Sequence, residues 1–225
     1  LSNDLRSDFN RAKAVDAEES LLSDAKKTNP SLVIAPTKQQ RIAIHSVIKW
    51  FLRPSKDEKS LKNKNRPDGL DGAMFVQGIA GTGKTKIVVK WTLNLLSKLG
   101  YLKNDEVIAF SNTESNTIDL NATVFPGRKI ETPKASLNIS KEDIQNTVKL
   151  LVIDEAAFLS REELNNVASV IDEVNESRKT AGLKPVKLLM LGDPNQISNT
   201  LSTDSLGSPL NSYYALNGNG LGIEN

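Results

Sequence analysis

Eight consecutive residues, Gly78-Ile79-Ala80-Gly81-Thr82-Gly83-Lys84-Thr85, restrict what this chain can fold into more than any other stretch. They have the spacing G-x-x-x-x-G-K-[ST], they follow the apolar run Ala73-Met74-Phe75-Val76-Gln77, and they open a segment of helical periodicity from Thr85 to Leu99. Strand, glycine-rich turn and helix in that order make a cradle for a dense anion. Gly78, Gly81 and Gly83 permit backbone angles and close approaches that a side chain would block, so that successive N–H groups and the helix N-terminus face phosphates. Lys84 is placed to reach the β- and γ-phosphates of a nucleoside triphosphate, and the Thr85 hydroxyl to ligate magnesium, which prefers oxygen ligands. Gly81, Thr82, Gly83, Lys84 and Thr85 are therefore the expected nucleotide-binding residues. A glycine-rich turn with an incidental lysine is the alternative, and the strand-to-helix context argues against it.

Around this loop the pattern alternates. Strands are expected at Ala73 to Gln77, Glu106 to Phe110, Lys149 to Ile153 and Val186 to Leu191. Helices are expected at Thr85 to Leu99, around Glu114 to Ala122, and at Arg161 to Arg178. Short apolar strands separated by helices predict an α/β fold, a parallel sheet with helices on both faces. Upstream, Thr37 to Leu52 reads as a helix with Thr37 as N-cap, because Ile44, Val47, Ile48 and Phe51 recur at three and four. Residues 1 to 29 suggest an exposed helix that packs loosely or on a partner. Lys56 to Asp71 is lysine-rich and nearly devoid of apolar residues, which marks a solvated loop with a phosphate contact as the lesser reading. Between Pro126 and Asn146 the pattern is irregular, with a capping box at Ser140-Lys141-Glu142-Asp143.

Composition narrows the class. The 225 residues carry 29 Lys+Arg against 27 Asp+Glu, a net charge of +2 that is too balanced to imply nucleic acid from composition alone. No apolar run approaches the ~20 residues of a membrane helix, so no membrane partner is expected. The chain contains no cysteine, which excludes disulfides and thiolate metal sites and favours an intracellular setting.

Two further segments carry chemistry. Leu150-Leu151-Val152-Ile153 delivers Asp154 and Glu155 at the C-terminal end of an expected strand, where open α/β sheets place ligands. Asp154 would hold magnesium through water, and Glu155 would take a proton from an attacking water. Acidic residues after a strand are commonly caps; a phosphate loop about 70 residues upstream favours catalysis. Leu188-Leu189-Met190-Leu191 similarly ends in Gly192-Asp193-Pro194-Asn195-Gln196. Taken alone this is a turn, yet Gln196 has the neutral amide needed to sense a γ-phosphate or position water.

The three blocks in this order resemble the first motor domain of a superfamily 1 helicase, over about residues 37 to 200. The resemblance implies a P-loop, RecA-like fold, ATP with Mg2+ as cofactors, and Lys84, Asp154, Glu155 and Gln196 as the catalytic set. It also implies that Gln39 or Gln40 reads adenine, with Gln40 preferred because Ala43 completes Gln-x-x-Ala. Val107-Ile108-Ala109-Phe110-Ser111-Asn112-Thr113 resembles the block that holds single-stranded nucleic acid, so Ser111, Asn112 and Thr113 are candidate strand contacts; helix caps are the alternative. Glu114 departs from the family pattern, which often has lysine there. Asp-Glu-Ala-Ala and Gly-Asp-Pro-Asn-Gln are nearest the RecD-like and Dda-like branch.

The domain expectation is a helical extension at 1–35, a RecA-like domain at 36–205, and a tail or linker at 206–225. The first residue, Leu1, and the unpatterned end suggest a piece of a longer protein. The resemblance implies a second RecA-like domain that contributes an arginine across the cleft, so this piece should hydrolyse ATP slowly. Partners implied are single-stranded nucleic acid, DNA ahead of RNA. A nucleotide-gated binding or structural module remains the alternative class. His45, Trp50 and Trp91 read as packing residues rather than ligands.

Overall fold

Side chains alternate across a strand, so an apolar strand buried on both faces feeds two separate cores. The computed structural model describes residues 11–28, 35–52, 73–111, 120, 141, 144, 147–159, 161–193 and 221–222. Its strands are β1 (Ala73–Gln77), β2 (Val107–Phe110), β3 (Leu150–Ile153), β4 (Lys187–Gly192) and the two-residue β5 (Leu221–Gly222). They form one sheet in the order β2-β3-β4-β1-β5, every neighbouring pair parallel.

The register lines up Phe110, Ile153, Met190 and Phe75 across four strands. These join the core that includes Val167, Ile171 and Val174 of helix α4 (Arg161–Thr180). The next row, Ala109, Val152, Leu189 and Met74, points the other way. It packs with Ile44, Val47 and Ile48 of α2 (Lys38–Leu52) and Leu93, Leu95 and Leu96 of α3 (Lys90–Lys98). Helices thus cover both faces of a parallel sheet, as the alternating pattern requires.

Strand and helix bounds fall within a residue or two of expectation, with two differences of kind. The helix after the glycine-rich loop begins as a π-helical turn, Lys84–Val89, before α3 continues it. In that turn Val88 N–H reaches the carbonyl of Gly83, five residues back, at 3.1 Å. The expected tail also contributes structure: Leu221–Gly222 pairs with Val76 and Gln77 as an edge strand. An edge of two residues needs only backbone groups, so no alternating pattern announces it.

Helix α1 (Arg11–Thr28) is docked more firmly than its polar sequence suggested. Ala17 and Leu21 pack on the α2–α3 core. Glu18 is buried and pairs with Arg41 Nε at 3.0 Å, with His45 Nε2 3.8 Å from its other oxygen. Lys98 donates to Ser20 Oγ and Asp24 Oδ2.

At the other end of the sheet, polar side chains fix the chain's entry into the strands. Buried Arg178 donates to the carbonyls of Lys184 (2.6 Å) and Val148 (2.9 Å), which seats the C-terminus of α4. Lys187 donates to Trp50 O at 2.8 Å, its ammonium placed at the C-terminal end of α2 where the helix dipole is negative. Trp50 and Trp91 are partly buried against the α2–α3 core, as packing residues. The expected loop at 56–71 and capping box at Ser140 lie outside the described residues, as does the helix around 114–122 apart from Leu120.

Candidate functional site

Parallel strands bring all their C-terminal ends to one edge, and β3, β4 and β1 are adjacent. The segments that follow them, Asp154-Glu155, Asp193 and the loop Gly78–Thr85, are therefore neighbours although far apart in sequence. Backbone bonds extend the ladders into this edge: Gly78 N–H to Gly192 O at 3.2 Å, and Asp154 N–H to Phe110 O at 2.8 Å.

The loop is held from both sides. Asp193, buried, accepts from Ala80 N–H through Oδ2 at 3.2 Å. On the opposite shoulder Gln40 Nε2 donates to Thr82 O at 2.8 Å. Between them Gly81 has φ +82°, and a Cβ there would meet nothing within 4 Å, so its glycine serves conformation rather than space. Gly83, also left-handed at φ +79°, is crowded: a Cβ would lie 2.8 Å from Ile87 Cδ1 and 3.1 Å from Gln40 Nε2.

Gly83 precedes the π turn and no side chain caps it, while the first N–H groups of any helix lack intrahelical acceptors. This is the donor-rich, positively polarised end to which an anion binds. Lys84 Nζ bends back to the carbonyls of Gly78 (2.5 Å) and Ile79 (3.1 Å), so its charge sits over the loop itself.

Thr85 Oγ1 donates to Asp154 Oδ2 at 2.7 Å across 69 residues of sequence. The other carboxylate oxygen of Asp154 accepts from Glu155 N–H at 2.9 Å. A hydroxyl and a carboxylate held this close fit magnesium, which takes one or two protein oxygens together with waters and phosphate oxygens.

Glu155 has φ +54°, the one non-glycine residue with positive φ among the described residues. A left-handed backbone costs a residue with a Cβ energy and is retained where its surroundings dictate it. Here the surroundings are the short turn Ala156–Phe158, packed so tightly that a Cβ on Gly192 would meet Ala157 N at 3.1 Å and Phe75 Cζ at 3.1 Å. Burial pushes the Glu155 carboxyl above its usual range, and Asp154 and Asp193 push it further, while Lys84 pulls the other way.

Of the expected site residues, the fold collects Gly81, Thr82, Gly83, Lys84, Thr85, Asp154 and Glu155 at one edge, with Gln40 alongside. Gln40 does so with its side-chain amide engaged by the chain at both ends: Oε1 accepts from Thr37 N–H at 2.8 Å while Nε2 holds Thr82 O. Gln39 is exposed. Ser111 is buried just past β2. Asn112, Thr113 and Gln196 lie outside the described residues. Sequence reasoning did not assign Asp193 a contact; an acid directly after a buried strand and a glycine was the available signal.

The sequence profile of the AAA domain family matches residues 69–203, more than half of the chain and the stretch that holds all three strand-end segments. No curated protein sequence matches the chain. Among solved structures it is similar to unliganded Pif1 from Bacteroides sp, at 20% identity and TM-score 0.40, covering 80% of this chain and 36% of that one. Bacteroides Pif1 bound to ssDNA shows 18% identity and TM-score 0.41, covering 72% of this chain and 32% of that one. Bacteroides Pif1 helicase in complex with ADP-AlF3 and ssDNA shows 16% and 0.43, covering 81% and 37%. The chain spans about a third of the length of these proteins. On the profile match the chain belongs to the AAA domain family, and its parallel sheet with helices on both faces and a glycine-rich loop at the strand ends is an α/β P-loop fold.

Proposed function

We propose that this domain binds ATP with magnesium and serves as the first motor domain of an ATP-dependent helicase or translocase acting on single-stranded nucleic acid, DNA in the first instance. The observation that carries the reading is the 2.7 Å bond between Thr85 Oγ1 and Asp154 Oδ2, which joins the end of the glycine-rich loop to the acid-bearing strand. The residues of this edge fit the ligand. Loop N–H groups and Lys84 bind the phosphates, Lys84 exchanging its bonds to Gly78 O and Ile79 O for phosphate oxygens. Thr85 directly and Asp154 through water would hold the metal, which when bound would offset the charge of the phosphates. Glu155, raised in pKa and close to Lys84 in electrostatic reach, accepts the proton of the attacking water.

Gln196 senses the γ-phosphate in this reading, and Asn112 and Thr113 contact the strand's phosphates, which position it without reading sequence, while Ser111 is buried just past β2. The Asp-Glu-Ala-Ala and Gly-Asp-Pro-Asn-Gln blocks favour a RecD-like or Dda-like branch. A second RecA-like domain in a longer protein supplies an arginine across the cleft; such a group contributes ~10³ or more in rate, so this chain alone binds ATP better than it hydrolyses it.

Calorimetry with Mg-ATP tests the nucleotide site directly. Binding that Lys84→Ala abolishes or weakens greatly supports it; equal affinity in the two proteins rules it out. For the motor, ATPase of the longer protein is measured with and without single-stranded DNA. Stimulation lost in Glu155→Gln is expected, and intact binding without stimulation would instead indicate a nucleotide-gated switch.

A further inference from the structure

We propose that Asp193 is a positioning residue that pins the first half of the phosphate loop to the end of β4; the proposal rests on the nucleotide-site reading above. The ladder between β1 and β4 pairs Gln77 with Gly192 and runs one rung further, Gly78 N–H to Gly192 O at 3.2 Å. In an extended chain the N–H groups of residues i and i+2 point the same way, so the next rung falls to Ala80 N–H. A regular parallel ladder would meet it with the carbonyl two residues past Gly192. Here the side chain of the intervening residue takes that place, and Asp193 Oδ2 accepts from Ala80 N–H at 3.2 Å. The carboxylate thus carries the sheet's bonding one step beyond the sheet. Directly after it the chain leaves extended geometry, with Gly81 at φ +82° and Thr82 N–H turned back to Ile79 O.

The acid stands on a fixed point. Asp193 is buried, and Gly192 before it is wedged between two elements: a Cβ there would lie 3.1 Å from Ala157 N, in the turn after Glu155, and 3.1 Å from Phe75 Cζ of β1. The base of Asp193 therefore touches both the strand that feeds the loop and the turn that follows the other strand-end acids. Its charge has the same sign as a phosphate, and an ionised carboxylate has no proton to donate, so direct contact with phosphate oxygens is unfavourable. What it offers is an acceptor for a backbone donor on the sheet side of the loop. The donors left to face an anion are those from Gly81 onward, toward the N-terminal end of the helix. Fixing Ala80 fixes where that row begins.

The test uses the full chain with Asp193→Asn and Asp193→Ala. Affinity for ATP is measured with magnesium and in EDTA, and exchange of the Ala80 amide is followed by NMR with and without ATP. Asparagine keeps an oxygen for Ala80 N–H and gives up the charge; alanine gives up both. The Ala80 amide should exchange slowly in the wild-type and Asp193→Asn chains, whether or not ATP is bound, and about tenfold faster in Asp193→Ala. ATP should bind Asp193→Asn within about threefold of wild type and Asp193→Ala about tenfold more weakly, by the same factor with and without magnesium. Weakening of Asp193→Asn confined to magnesium would make the acid a metal ligand and overturn the proposal. So would wild-type affinity in Asp193→Ala, or an Ala80 amide that loses its protection once ATP is bound. If Asp193→Ala does not fold, the Ala80 exchange of the other two chains decides. A wild-type chain that binds no ATP, with Lys84→Ala indistinguishable from it, refutes the phosphate site itself and the proposal with it.

Discussion

Thr85 Oγ1 donates to Asp154 Oδ2 at 2.7 Å, so one hydrogen bond joins the residue that ends the glycine-rich loop to the residue that follows β3. Thr85→Val keeps the shape of the side chain and removes the hydroxyl. A hydrogen bond to a charged group is worth ~1.5–3 kcal/mol, so affinity for Mg-ATP should fall tenfold or more. ATP in EDTA should bind the variant and the parent about equally. Titration calorimetry with and without magnesium distinguishes a lost metal ligand from a distorted loop, which would weaken both.

Glu155 gives a pH signature. Its carboxyl is raised by burial first, then by Asp154 and Asp193. As a proton acceptor it works only when ionised, so the acid limb of the ATPase profile should lie above ~4.3, the ordinary glutamate value. Stability moves in the opposite sense: the folded chain keeps this proton longer than the unfolded chain. Its contribution is present below the unfolded pKa and is lost as pH rises through the folded one. Melting curves across that window should show a downward slope with pH that flattens in Glu155→Gln.

The same residue separates stability from chemistry. Glu155→Gly relieves a left-handed backbone at φ +54° and also removes a raised carboxylate. It should therefore stabilise the fold by about 1 kcal/mol while hydrolysis is lost. A melting temperature below that of the parent would contradict the strain.

What could be read in advance depended on how local the cause was. Glycine spacing, Lys84 and Thr85 form one contiguous block, and four apolar runs bounded by turns gave strand positions to within a residue or two. Asp154 and Glu155 were legible because a buried strand runs straight into them. The tie from Gln40 to Thr82 was hidden because it depends on how α2 packs against the loop, and the same holds for Asp193 on Ala80. The π turn at Lys84–Val89 has no composition that distinguishes it from an ordinary helix start. Glu18 reads as a solvent-facing acid on a polar helix, and only the placement of Arg41 and His45 explains its burial.

That burial makes an asymmetric prediction. Glu18 is 9% exposed in its side chain and Arg41 48%. Arg41→Ala strands a buried carboxylate and should destabilise more than Glu18→Gln, which leaves only a solvated guanidinium unpaired. Limited proteolysis within α1 should rise in the same order. Equal effects from the two would mean that α1 is held by Ala17, Leu21 and the Lys98 contacts rather than by the Glu18 pair.

The adjacency of β3, β4 and β1 has a thermodynamic consequence. Three loops hung from neighbouring strands are gathered when the chain folds, so an incoming ligand meets groups whose freedom has already been surrendered. Association then carries little ordering entropy, and its strength depends on the stiffness of the sheet behind it. A substitution deep in the row Phe75, Met190, Ile153 and Phe110, touching no ligand, should therefore register as a weaker grip on phosphate.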